Sequence, residues 1–139
     1  MSRHCRRPWL AAISLALCLG AGPQALANGQ VQVRVQLPPD AALAGLLNEE
    51  SLFIFPLMNL VANNCPDTGL QPGDSHLLAA TGQRIVELMA VSEHLQRVLY
   101  LESALREIQQ ADVCTRFAGS LTPVVTELRR LGATTEVVQ

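Results

Sequence analysis

The side chains best suited to chemistry are cysteines and histidines, and their spacing in this sequence favours a structural role. Cys65 and Cys114 are far apart in the chain, belong to no C-x-x-C motif and have no histidine near them at the spacing of metal ligands. His76 and His94 would lie about 27 Å apart even on one continuous helix, too far to share a metal ion. The sequence therefore predicts neither a metal site nor a histidine catalyst.

Charged side chains follow a helical pattern rather than a catalytic one. Glu93 with Arg97 and Glu102 with Arg106 are i,i+4 pairs in the orientation that stabilises a helix, so we expect a solvated, salt-bridged face. The sequence contains no P-loop, GxSxG, HExxH, GxGxxG or CxxCH motif. These observations predict a protein that is not an enzyme and carries no cofactor.

The first 27 residues have the pattern of a cleaved secretory signal peptide, and they predict a periplasmic protein. Three arginines precede the apolar run 10–19, and Ala25-Leu26-Ala27 provides small residues for cleavage. The run is too short to span a bilayer, so we expect no stable membrane anchor. Of the ten basic residues, all arginine, seven remain after cleavage against twelve acidic residues, a net charge of −5 that excludes a nucleic-acid partner.

Export also predicts a disulfide bond. Cys5 and Cys18 lie in the leader, so the mature chain, residues 28–139, keeps only Cys65 and Cys114. Because cysteine pairs of exported proteins are normally oxidised, we expect these two to be bonded to each other.

One segment of the mature chain has the pattern of a half-buried strand. Apolar and polar residues alternate strictly over 31–37, and Pro38 follows. A lone strand leaves its backbone groups unpaired, so this strand needs a partner. The β-branched tail 134–138, a second copy of the chain and another protein all fit that role.

The rest of the mature chain is predicted to be helical. The apolar positions recur mostly at three- and four-residue steps, and Gly132 is a natural stop for the last helix. The fold class is therefore mostly α: a single domain at residues 28–139, built as a four- to five-helix disulfide-stapled bundle with a short N-terminal β-strand. The residues expected to begin helical segments are Asp40, Asn48, Asp74 or Ser75, Ser92 and Asp112.

The helix over residues 52–61 is apolar nearly all round, which allows two interpretations. It is either the central helix of the bundle or the wall of a groove that a partner fills. Only 19 of the 112 mature residues are charged, against roughly 25% in ordinary globular domains, so we expect another chain to cover part of the apolar surface. The residues predicted to bind that partner are Phe53, Leu57, Leu60 and Val61.

A family resemblance indicates which kind of protein this partner is expected to be. The stretch 57–131 combines an apolar helix, a polar loop, a long helical middle and a last helix, with the landmark residues Asn64, Cys65, Asp74, Cys114, Phe117, Leu121 and Pro123. In these features it resembles the small helical pilotins of bacterial secretion systems, which escort and assemble the outer-membrane secretin. The resemblance implies a four-helix domain, stapled by Cys65 and Cys114, that holds a short amphipathic helix of the secretin in an apolar groove.

Two alternative functions stay open. The chain is also similar to the acid-stress chaperones of the periplasm, small helical proteins with one disulfide, although those are rich in lysine and this sequence has none. A homodimeric structural protein is the second alternative, because a second copy can cover the same apolar surface. Binding of an apolar dye separates a pilotin from an acid-stress chaperone. A pilotin-like groove is expected to bind the dye at neutral pH, whereas an acid chaperone is expected to bind it only after acidification.

Overall fold

The structure, a computed structural model, describes residues 32–138. The predicted signal peptide and the first residue of the predicted strand, Val31, lie outside the described residues. The chain forms strand β1 (Gln32–Gln36), a 3-10 helix (Asp40–Leu46), and helices α1 (Glu49–Asn64) and α2 (Asp74–Leu88). It continues through α3 (Glu93–Leu95), a π-helix (Gln96–Leu101), α4 (Glu102–Glu107), α5 (Val113–Arg130) and strand β2 (Thr134–Val138). The predicted fold class, a mostly helical bundle with a short strand, is confirmed.

Helix α1 is the central helix of this bundle. It packs against α2, against α5 and against the segment 93–107, which we call the α3–α4 segment. Its buried side chains lie on several sides of the helix, which explains why the sequence is apolar nearly all round. The buried residues of α1 are Ser51, Leu52, Phe55, Leu57, Met58 and Val61.

Local sequence signals set where α1 begins and how it continues. The side chain of Asn48 accepts a hydrogen bond from the backbone N–H of Ser51 at 2.9 Å, which confirms the predicted N-cap. Pro56 lies inside the helix without ending it. Within residues 32–138 no single helix is long and apolar enough to cross a membrane; the 3-10 helix and α1 meet the test only as a pair bent by 99°.

The contact between α1 and α2 depends on one glycine. A Cβ atom placed on Gly82 would lie 2.9 Å from Cβ of Phe55, closer than such atoms approach in proteins. Glycine at this position in α2 therefore lets the two helices pack at short range, with the Phe55 ring in the core.

The two strands form an antiparallel ribbon. Their register runs from Gln32 opposite Val138 to Gln36 opposite Thr134, so the predicted strand pairs with the C-terminal tail, one of the three partners left open. The ribbon lies on the turn before α2, where Gly73 has a φ of +96° and a Cβ atom would meet Val33 at 2.9 Å. Pairing with the tail satisfies the strand's backbone on one edge without a second chain.

The α3–α4 segment begins where the sequence predicts the start of a helical segment, at Ser92. The hydroxyl of Ser92 accepts a hydrogen bond from the backbone N–H of Leu95, which confirms it as an N-cap. The predicted ion pairs within the segment are wrong: neither Glu93 with Arg97 nor Glu102 with Arg106 lies within 4.0 Å. Arg97 lies in the π-helix, whose wider turn alters the i,i+4 alignment, and Arg106 donates to Ser103 instead.

A disulfide bond joins Cys65 and Cys114, as predicted. Cys65 is the residue that follows the last turn of α1, and Cys114 lies in the first turn of α5. The bond therefore fastens the end of the central helix to the start of the last one, across 49 residues of chain. A disulfide of this kind is typical of proteins in oxidising, extracytoplasmic compartments.

Candidate functional site

An apolar groove opens between the 3-10 helix, α1 and α5, and we call it the α1–α5 groove. Its volume is about 270 Å³. Helices α1 and α5 supply most of the lining residues, and Leu46 and Asn48, on either side of the turn between the 3-10 helix and α1, supply the rest. The groove is lined by Leu46, Asn48, Glu50, Ser51, Ile54, Phe55, Met58, Val124, Glu127 and Leu128.

The floor and the walls of the α1–α5 groove differ in exposure. Phe55, Met58 and Leu128 are buried members of the hydrophobic core, so they give the groove a packed floor. Ile54 on α1 and Val124 on α5 are half-buried and pack against that floor. An apolar side chain from another molecule can therefore contact both walls without disturbing the core.

The rim of the groove is acidic. The carboxylate of Glu127 accepts hydrogen bonds from the guanidinium of Arg130, with 2.7 Å between Nε and Oε2. These bonds hold the pKa of Glu127 below its usual 4.5. Glu50 is in the first turn of α1 and forms no ion pair within residues 32–138. Within the described residues the apolar groove is thus bordered by one glutamate that is paired with an arginine and one that is not.

The structure separates the four residues predicted to bind a partner. Leu57 and Val61 have no exposed surface and belong to the hydrophobic core, so their expected place on a groove wall is corrected. The reason is that other helices cover α1 on several sides. Residues that are close to Ile54 in the sequence of α1, such as Leu57, therefore face other helices rather than the groove. Phe53 and Leu60 are half-buried and pack at the edge of the core, and neither lines the α1–α5 groove.

Leu60 instead lines a second, smaller groove between α1, α2 and the π-helix. The volume of this α1–α2 groove is about 160 Å³. Three amide side chains, Asn59, Gln83 and Gln96, help to line it, and it is more polar than the α1–α5 groove. It is lined by Phe55, Pro56, Asn59, Leu60, Leu78, Ala79, Gly82, Gln83, Gln96 and Leu101. Of the predicted binding residues, Leu60 alone reaches either of these two grooves.

The titratable side chains of residues 32–138 form no cluster suited to metal binding. Among the described residues no group of three or more histidine, cysteine, aspartate or glutamate side chains lies close enough to hold an ion. His76 is half-buried at the start of α2, and His94 is exposed at the start of the α3–α4 segment. The most buried carboxylate, Asp74, is 2% exposed and is bound by Arg129 and by the backbone N–H of Gln71. It therefore has a structural role.

Sequence reasoning missed the α1–α5 groove because its two walls are far apart in the chain. Val124 belongs to the apolar stripe of the last helix, but nothing in the spacing shows that it faces Ile54 of α1. The observation that α1 carries more apolar residues than a single face can bury was the available signal.

The chain has no match among protein-family models, curated proteins or solved structures.

Proposed function

We propose that this protein is an exported, non-catalytic binding factor of the pilotin type, which holds a short amphipathic helix of an outer-membrane secretin in the α1–α5 groove. The observation that carries the proposal is the groove itself: an apolar cleft with a packed floor, half-buried walls and an acidic rim. The alternatives are a periplasmic stress chaperone and a homodimeric structural protein.

The shape of the groove supports a helix as the bound element. Two helices, α1 and α5, supply most of its lining residues, and an amphipathic helix binds a groove between helices by inserting apolar side chains at i, i+3 and i+4. Ile54 and Val124 are the accessible contacts, and Leu46 extends the apolar surface toward the 3-10 helix. The volume of about 270 Å³ suits a few apolar side chains rather than a large cofactor.

Charge supports a basic flank on that helix. Glu50 lies on the rim without an ion-pair partner within residues 32–138, so a lysine or arginine beside the apolar face would meet an available carboxylate. Opposite charges at a rim add specificity and speed association more than they add affinity. The bound segment is therefore expected to be apolar on one face and basic at its edge.

The disulfide supports a periplasmic location. Cys65 and Cys114 bond the helix that forms one side of the groove to the helix that forms the other. An oxidising compartment keeps this bond intact, and the signal-peptide pattern of residues 1–27 gives the route to it.

In-cell photo-crosslinking tests the proposal. The full-length chain, expressed in its own host, carries a benzophenone amino acid in place of Ile54, and captured proteins are identified by mass spectrometry. The matched control carries the same group in place of Leu60, which is also half-buried on α1 but lines the other groove. We expect position 54 to capture a secretin and position 60 to capture much less.

A second pair of variants separates loss of binding from loss of folding. Ile54→Glu places a charge on the groove wall and is expected to abolish capture, whereas Ile54→Leu keeps the wall apolar and is expected to retain it. Circular dichroism and the absence of free thiols establish that both variants are folded. Equal capture from positions 54 and 60, capture only of the chain itself, or capture of many clients only at low pH would each overturn the proposal.

A further inference from the structure

The α3–α4 segment carries most of the exposed large hydrophobic side chains of residues 32–138. Large hydrophobic side chains are exposed at five positions in this part of the chain, and four of the five lie on this one segment. Leu99 is the most exposed of them at 51%. The four residues are Leu95, Val98, Leu99 and Leu105. Surface of this kind, concentrated on one helical segment, marks an interaction site.

The same segment holds the two arginines of residues 32–138 that form no ion pair within that part of the chain. Of the seven arginines in residues 32–138, five form ion pairs within the chain, on other elements. The remaining two, Arg97 and Arg106, are both in the α3–α4 segment, as are Glu93 and Glu102, which also form no ion pair here. All four side chains are exposed, so they are available to another molecule.

The order of these four charges suits a second copy of the segment. From the N-terminus they read negative, positive, negative, positive, at residues 93, 97, 102 and 106. When the segment is reversed, the order becomes positive, negative, positive, negative. Positions 93 and 106, and positions 97 and 102, are placed symmetrically about the point between Leu99 and Tyr100. The charge pattern is therefore complementary to its own antiparallel copy and repulsive to a parallel one.

We propose that the α3–α4 segment is a self-association surface, through which two copies of the chain pack antiparallel about a two-fold axis between Leu99 and Tyr100. Glu93 then faces the partner's Arg106, and Arg97 faces the partner's Glu102, so the two-fold axis creates four ion pairs. The exposed apolar side chains lie between these pairs and are covered together.

The π-helix helps to bring the charges to one side. Arg97 and Glu102 are five residues apart, which on a regular α-helix turns them by about 140° from each other. The residues between them belong to the π-helix, whose i,i+5 hydrogen bonds widen the turn and reduce this angle. The irregular turn thus aligns two charges that a regular helix would separate.

The geometry predicts a weak dimer that is independent of the α1–α5 groove. Fifteen residues give a helical segment about 22 Å long, which buries less surface than a standard stable interface. The segment shares no residue with the α1–α5 groove, so both surfaces can be occupied at once. We expect association at micromolar concentrations.

Charge reversal tests the orientation, with sedimentation equilibrium as the measurement. Arg97→Glu and Glu102→Arg shift the net charge in opposite directions. In either variant residues 97 and 102 carry the same charge, and they face each other at two symmetric places in the dimer. Each variant is therefore expected to weaken dimerisation about tenfold. The double variant R97E/E102R restores the opposite charges across the axis and is expected to dimerise as the native chain does. Each variant must retain its helical circular dichroism spectrum.

Crosslinking gives a second measurement that does not depend on charge. In the antiparallel pair, position 98 lies about 4.5 Å along the axis from the partner's position 98, and position 105 about 16 Å from the partner's 105. A short bis-maleimide is therefore expected to link Val98→Cys dimers and not Leu105→Cys dimers. A native chain that stays monomeric at millimolar concentration, failure of the double variant to recover, or equal crosslinking at both positions would overturn the proposal.

Discussion

Arg129 in the last turns of α5 contacts Asp74 in the first turn of α2, with 2.6 Å between Nη2 of the arginine and Oδ1 of the carboxylate. The Asp74 side chain is 2% exposed and the Arg129 side chain 40% exposed, so the pair places a buried negative charge against a cation that reaches water. Oδ2 of Asp74 also accepts the backbone N–H of Gln71, and Arg129 contacts the hydroxyl of Thr135 on β2. One ion pair therefore connects two helices, a turn and the ribbon.

Substitution of Arg129 is expected to destabilise the folded state. Arg129→Met keeps the aliphatic stem but leaves the Asp74 carboxylate buried without a counter-charge, so we expect the free energy of unfolding to fall by about 2–3 kcal/mol. Urea denaturation measures the change. Arg130→Met is the matched control, since it removes the neighbouring, exposed pair with Glu127, and its effect is expected to be close to experimental error. Equal losses in the two variants would contradict this account.

Reduction of the disulfide is expected to destabilise the bundle strongly. The bond between Cys65 and Cys114 closes a loop with a sequence separation of 49 residues. In the chain-entropy model a loop of this length contributes about 4 kcal/mol, so we expect the double variant Cys65→Ser, Cys114→Ser to lose stability on that scale. Thermal unfolding with and without reductant gives the measurement, and the double variant should no longer respond to reductant. Two reactive thiols in the native, unreduced protein would show that the bond is not formed.

The close contact between α1 and α2 predicts opposite effects for two glycine substitutions. Gly82→Ala adds a methyl group 2.9 Å from Cβ of Phe55, so the helices must move apart, and we expect a loss of about 1–2 kcal/mol. Gly119→Ala in α5 meets nothing within 4 Å, and its better helix propensity is expected to add about 0.5–1 kcal/mol. Urea unfolding of both variants checks the prediction, which fails if Gly82→Ala is neutral or stabilising.

Acid is expected to weaken the link between the 3-10 helix and α2. Arg84 donates two hydrogen bonds to Asp40, at 2.9 and 2.6 Å, and these hold the pKa of Asp40 below its usual 3.8. A carboxylate with a lowered pKa in the folded state adds stability that is fully present above pH 3.8, its unfolded value, and is lost as pH falls through the folded value.

Comparison of native protein with Asp40→Asn isolates this contribution. The variant is expected to be less stable at pH 7, and the difference should shrink as the pH is lowered below about 3.8, because the native side chain is then also neutral. Urea midpoints at several pH values measure it. Glu127→Gln offers a second test of the same kind, since Arg130 lowers the pKa of Glu127. A difference that stays constant from pH 7 to strong acid would contradict the assignment.

Sequence patterns predicted the features that depend on interactions between residues close together in the chain. Asn48 and Ser92 cap their helices because each side chain accepts a hydrogen bond from the backbone N–H three residues later. The last helix stops before Gly132 because glycine readily adopts the φ of +108° found there. The disulfide was predictable because the signal-peptide pattern left only Cys65 and Cys114 as a pair. The strand was predictable from its alternation, but its mate was one of three choices.

Packing between segments that are distant in the chain determines which apolar residues are covered, and which element covers each of them. Leu57 and Ile54 are equally apolar and lie three residues apart on α1, yet one is in the core and the other on a groove wall, because helices α2 and α5 cover different sides of α1. Arg97 and Arg106 were predicted to pair with glutamates four residues before them, but the π-helix and Ser103 redirect them. Periodicity fixes which residues share a face of a helix, whereas the neighbours of each face depend on how distant segments pack.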